Sequence, residues 1–175
     1  IQNITDGPCI IAPNHQSILD SFLINSFLDK NLSDNIYFLG KNKLITSKIT
    51  KFLSTNTNVV EFDLHKDPME AVKKVVGVLN SGKKIVIFPE GTRTRDGEIH
   101  DFRPTFAIVA KELGVPVIPV AISGAFKVLP AGKYWPKSGE IRISFLNPIY
   151  TKNKEVEEIL NSTVDSIKHN LNNIS

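Results

Sequence analysis

Two short stretches of this chain carry side chains able to do chemistry together. The first is Asn14-His15-Gln16-Ser17-Ile18-Leu19-Asp20, in which four residues separate a histidine from an aspartate. A carboxylate bonded to one imidazole nitrogen fixes the tautomer and leaves the other nitrogen free to take a proton. The second is Phe88-Pro89-Glu90-Gly91-Thr92-Arg93-Thr94-Arg95. Gly91 lets the backbone approach a ligand, and Thr92 offers a hydroxyl. Arg93 and Arg95 offer planar forks suited to phosphate oxygens. Each stretch also has a plainer reading. An Asp in the first turn of a helix is ordinary capping, and a lone His beside it can be a surface residue. Glu90 and Arg93 can simply pair across a tight turn.

The elements that hold these stretches can be read from apolar patterning. Cys9-Ile10-Ile11-Ala12 reads as a buried strand closed by Pro13. Ser17 with Asp20 resembles a capping box, so a helix is expected from Ser17, carrying Leu19, Phe22, Leu23 and Phe27 inward. Asp20, in the first turn, would lean back toward His15. Ile36-Tyr37-Phe38-Leu39 is a second strand ended by Gly40, and Lys41 and Lys43 follow it as candidate anion contacts. Basic and apolar residues alternate from Lys41 to Leu53. Val59 to Phe62 is a third strand. Asp67-Pro68-Met69-Glu70 starts a helix with Ala71, Val72, Val75, Val76 and Leu79 on one face.

Lys83 to Phe88 is a buried strand of the kind found in parallel sheets covered on both faces. A helix follows from Thr105, with Phe106, Ile108, Val109 and Leu113. Val115 to Ile122 contains two prolines, Pro116 and Pro119, and is placed at a sheet edge or at an irregularity. Residues 127–138 form a loop with Trp135. Ile141 to Phe145 alternates as a half-buried strand, and an amphipathic helix closes the chain. Strands and helices alternate with mostly short connections. The expectation is one α/β domain over residues 1–175, with a largely parallel or mixed central sheet flanked by helices. Both candidate stretches then leave carboxyl ends of strands, where open α/β sheets build ligand sites.

Composition narrows the function classes. Of 175 residues, 41% are hydrophobic and 22% charged, as in a globular protein. A net charge of +3 is too small to argue nucleic-acid binding, but it suits contact with anionic lipid or phosphate. The single cysteine, Cys9, cannot form an internal disulfide and reads as a small buried hydrophobe. Four histidines without ligand spacing argue against a structural zinc site. No run approaches the roughly 18 apolar residues of a membrane span. The first residue is Ile and a strand begins almost at once, so an excised domain lacking preceding segments is expected.

Taken together, the two stretches resemble the glycerolipid acyltransferase family, whose best-known members are the 1-acylglycerol-3-phosphate (lysophosphatidate) acyltransferases. Asn14 to Asp20 matches the family's first motif and Phe88 to Arg93 its third. Gly40-Lys41 is similar to a degenerate second motif and Val115 to Val120 to the fourth. The resemblance runs from about Gly7 to Pro148. It implies transfer of a fatty acyl group from a thioester, acyl-CoA or acyl carrier protein, to the hydroxyl of a lysophospholipid or glycerol phosphate. His15 would be the general base, oriented by Asp20. Glu90, Gly91, Thr92, Arg93 and Lys41 would serve the acceptor, and Pro119 the donor side. No cofactor and no metal are required. The resemblance also implies peripheral contact with the cytoplasmic face of a membrane, through the stretch from Lys41 to Leu53 or the loop at Trp135.

Two departures bear on the sub-family. Pro104-Thr105 follows Phe102-Arg103 where many members carry Gly-Ala, and Glu61-Phe62-Asp63 stands where relatives have an arginine. These features look more like acyltransferase domains fused to acyl-activating synthetases. Two rival functions remain open from sequence: an acyl-thioester hydrolase, in which the same pair activates water, and a lipid- or phosphate-binding module without catalysis.

Overall fold

The computed structural model describes residues 3–41, 57–62 and 68–174. In chain order the elements are β1 (Ile10–Pro13), α1 (Asp20–Ser26), α2 (Lys30–Ser33), β2 (Ile36–Lys41), β3 (Asn58–Phe62), α3 (Pro68–Asn80), β4 (Lys84–Val86), α4 (Thr105–Leu113), β5 (Val117–Ser123), α5 (Ala125–Val128), β6 (Arg142–Phe145) and α6 (Val156–Ile174). The six strands form one sheet in the order β3-β2-β4-β1-β5-β6. Neighbours are parallel throughout except β5 and β6, which run antiparallel. This is the mixed α/β sheet expected from the alternation of elements.

β1 sits at the middle, with Ile10 opposite Ile85 of β4 and Val117 of β5. Successive side chains of a strand point to opposite faces. Ile10 and Ala12 therefore join one core, with Val75 and Leu79 of α3, Phe106 of α4, and Ile159 and Ile167 of α6. Cys9 and Ile11 join a second core, with Ile24 of α1 and Ala125 of α5. All four β1 residues are buried because both faces are covered. That is why the run is uniformly apolar rather than alternating. Fully burying a side chain such as Ile10 or Ile85 is worth about 1.5–3 kcal/mol. The sheet centre therefore anchors whatever leaves its strands. Since β1 and β4 are parallel neighbours, the segments after Pro13 and Val86 emerge at the same edge.

Two expectations change, and one open alternative is decided. Helix α1 starts at Asp20 rather than Ser17, and Leu19, its N-cap, makes no side-chain capping bond. Only the reverse arm of the capping box forms, from Ser17 N to Asp20 Oδ2 at 2.8 Å. The Ser17 hydroxyl instead donates to Leu129 O at 2.7 Å. The inward side chain of α1 is Ile24, while Phe22 and Phe27 are 40% and 52% exposed. The proline-bearing strand takes the second of its two expected placements: β5 is interior, between β1 and β6, and irregular at Pro119. Pro116 precedes it. Pro119 lies between the Val120–Phe145 pair and the Val117–Ile149 bridge, where the neighbouring chain is itself broken at Asn147-Pro148. A missing N–H is tolerated there. The stretch 42–53, the cap Asp67 and Asp63 lie outside the described residues.

Candidate active site

His15 and Asp20 meet as the spacing predicts. His15 Nδ1 donates to Asp20 Oδ2 at 2.8 Å. The same oxygen accepts from Gln16 N at 2.7 Å and Ser17 N at 2.8 Å. One carboxylate thus gathers the backbone of its own loop and the imidazole into a single knot. Asp20 is fully buried, whereas the His15 side chain keeps 17% of its surface open. A carboxylate only accepts, so the proton sits on Nδ1 and the Nε2 lone pair is left to act as a base. The imidazole stacks on Phe88, ring centroids 4.0 Å apart and planes 26° off parallel. Phe88 thereby fixes the ring's second degree of freedom.

The second stretch locks onto the first through the His15 backbone. Glu90 Oε1 accepts from His15 N at 2.7 Å, and Thr94 N donates to His15 O at 2.9 Å. Glu90 Oε2 accepts from His100 N at 3.1 Å. Glu90 is buried, and that burial pushes its pKa above the usual carboxylate value, with the two amide donors pulling the other way. Its oxygens face backbone amides inside the fold. Glu90 thereby joins the two loops. Among the described residues it does not pair with Arg93.

Gly91 has φ +70° and passes the Arg103 guanidinium so closely that an added Cβ would sit 3.1 Å from it. Thr92 is exposed, its hydroxyl 3.5 Å from Arg93 O. Arg93 is half-buried, and among the described residues no acidic group pairs with its guanidinium. Beyond it, Thr94 Oγ1 donates to Asp96 Oδ1 at 2.7 Å and accepts from Gly97 N at 3.0 Å. Those bonds, led by the Thr94 hydroxyl and the Glu98 amide, hold the Asp96 carboxyl down to about 2.

A family model described as Acyltransferase matches residues 1–123. The chain belongs to the acyltransferase family. It is 27% identical over 169 residues to a chloroplastic 1-acyl-sn-glycerol-3-phosphate acyltransferase of Brassica napus, covering 93% of this chain and 47% of that protein. It is 29% identical over 143 residues to a 1-acyl-sn-glycerol-3-phosphate acyltransferase of Pseudomonas aeruginosa, covering 79% of this chain and 51% of that one. The chain thus spans about half the length of these curated relatives. The crystal structure of the 1-acyl-sn-glycerophosphate (LPA) acyltransferase PlsC from Thermotoga maritima superposes with a TM-score of 0.82 at 26% identity, covering 98% of this chain and 68% of that one.

In this acyltransferase-family chain the other expected site residues are placed less centrally. Lys41 ends β2 opposite Phe62, but its side chain lies outside the described residues. Pro119 is buried within β5. Several contributors were not singled out from sequence. Asn14 donates Nδ2 to Ile122 O at 3.0 Å and accepts from Ile122 N at 2.7 Å. Gln16 Oε1 accepts from Phe126 N at 3.2 Å. The available signal was a run of polar residues directly after a buried strand, which must satisfy its own buried groups. Beside Phe88 lies an apolar cavity of about 370 Å³, lined by Leu39, Val72, Val75, Phe106 and Val109, with Gly91 and Arg103 also on its wall. Among the described residues, no three His, Cys, Asp or Glu side chains gather where they could hold a metal ion.

Proposed function

We propose that this chain is the catalytic domain of an enzyme that moves a fatty acyl group from a thioester to the free hydroxyl of a lysophospholipid acceptor, 1-acylglycerol-3-phosphate first among candidates. The observation that carries this is the His15 Nδ1–Asp20 Oδ2 bond of 2.8 Å, presented where the loop bearing Arg93 is tied to it through Thr94 N and His15 O. His15 Nε2 takes the proton from the acceptor hydroxyl as its oxygen attacks the thioester carbonyl. The carbon–sulfur bond then breaks, and the imidazolium returns the proton to the departing thiolate. Asp20 stabilises the imidazolium while it lasts. A thioester is already activated, so one placed base, worth about 10²–10⁴-fold, together with positioning, accounts for useful turnover.

Arg93 grips the acceptor phosphate in this reading, and Thr92 and Gly91 shape the approach. The acyl chain lies in the apolar cavity, one wall of which, Phe88, is also the ring stacked on His15. The donor is acyl-CoA or acyl carrier protein. The domain works peripherally, on the cytoplasmic face of a membrane, because acceptor and product are both lipids. Tyr134 and Trp135, 76% and 86% exposed between Lys133 and Lys137, suit that contact. No described helix is long and apolar enough to cross a bilayer.

The test is a mass-spectrometric acyl-transfer assay over a panel of lysophospholipids and glycerol phosphate, with His15→Ala as control. Esterified product that depends on both acceptor and His15 is expected. Free fatty acid released equally without acceptor would make the protein a hydrolase, and absence of turnover in every pairing would leave only a binding module.

A further inference from the structure

A second cavity, of about 580 Å³, opens beside Gln16, the residue that follows the proposed base. Its lining differs in kind from that of the apolar cavity. Lys127 and Lys168 face it from α5 and α6, and Glu98 is the one carboxylate among its described liners. Both lysines are exposed, and neither pairs with an acidic group among the described residues. Part of the wall is bare backbone at Gly124, where φ is +81° and an added Cβ would fall 2.0 Å from Glu140 O. No side chain can be placed there without moving the main chain.

Gln16 forms part of the same wall. It is 8% exposed, and its Oε1 is taken by Phe126 N. Its Nε2 donates to nothing among the described residues. Two exposed ammonium groups and one amide donor, none with an acidic partner among the described residues, lie next to the His15 loop and suit an oxyanion.

We propose that this cavity binds the phosphate at the end of the acyl donor's pantetheine arm. The assignment rests on the acyl-transfer reading above. A thioester donor is apolar at one end and carries phosphate at the other, with the reacting carbonyl between. The molecule offers the same sequence of environments: the apolar cavity at Phe88, the imidazole stacked on Phe88, and the basic cavity at Gln16. The phosphate is either that of coenzyme A or the phosphodiester that tethers pantetheine to a carrier protein.

The experiment uses the full-length protein and three donors of equal chain length: acyl-CoA, acyl carrier protein, and a phosphate-free acyl-pantetheine thioester. The Lys127→Ala/Lys168→Ala double variant should raise the donor KM roughly tenfold for phosphate-bearing donors. On the phosphate-free thioester the penalty should shrink to within about twofold, and raising salt should mask it. A rise confined to acyl-CoA, or to carrier protein, names the source of the phosphate. A penalty that is equal on all three donors, or that falls on the acceptor KM instead, overturns the assignment. Wild-type transfer with an unchanged donor KM in the variant sinks this proposal alone, whereas a wild type inactive with all three donors sinks the acyl-transfer reading. Circular dichroism checks that the variant, altered only at exposed positions, keeps its fold.

Discussion

The loops that follow β1 and β4 each bury one carboxylate, and the two are used differently. Asp20 serves its own loop: every group it holds lies within five residues, and one of them is the imidazole. Glu90 reaches across the chain, to amides 75 and 10 residues away, and holds only backbone. Asp20 prepares a proton acceptor, whereas Glu90 keeps that acceptor's loop in place. A buried acid next to a proposed base is therefore not evidence of a second catalytic group. Its partners decide what it does.

Substitutions can sharpen that contrast. The largest effect is expected at His15→Ala, which should cut turnover by about 10²–10⁴-fold while unfolding stays near wild type, because both backbone bonds of residue 15 survive. Asp20→Asn should cost about 10²-fold or more in kcat, since an amide cannot stabilise the imidazolium. An Asp20→Asn enzyme with most of its activity would remove the distinction drawn here. Arg93→Ala should act mainly on the acceptor, raising its KM about tenfold with a smaller change in kcat.

Glu90→Gln should show in stability before it shows in chemistry. One amide would face the new NH₂ group instead of an oxygen, at a cost of about 1–3 kcal/mol, read by chemical denaturation. The pH dependence has a definite sign. Burial raises the Glu90 pKa above 4.5, so its titration-linked contribution is full below 4.5 and lost as pH rises through the raised value. The stability gap between wild type and Glu90→Gln should narrow in that direction. Parallel curves would mean that Glu90 is not held as described.

The smallest effect belongs to Asp96→Asn, on the exposed turn beyond the loop. With its pKa held at about 2 against an ordinary 3.8, Asp96 contributes above 3.8 and stops contributing as pH falls through about 2. The variant should flatten that acid limb in a Tm-against-pH series.

The frame of the site was legible because its signals are local. A continuous apolar run marks a doubly covered strand, and polar residues directly after it mark a strand-end loop, so β1, β4 and the His15–Asp20 bond could all be read in advance. Glu90 could not, since an acid two residues before Thr92 and three before Arg93 looks the same whether it meets a cation or distant amides. Phe22 and Phe27 misled for another reason: periodicity reports an apolar stripe but not what covers it. β5 stayed open between an edge and an irregularity because Pro119 is harmless inside a sheet only where its neighbour is already interrupted, a fact carried by Pro148 on another segment.

Asn14 has a further consequence. Its side-chain amide gives and takes one bond each with Ile122, as a peptide unit would. The ladder between β1 and β5 thus gains one extra rung after the main chain has turned away. The loop bearing the imidazole is consequently clipped to the stiffest part of the molecule. On warming, the protein should lose function together with its sheet, in one cooperative step, rather than by earlier loosening at the surface.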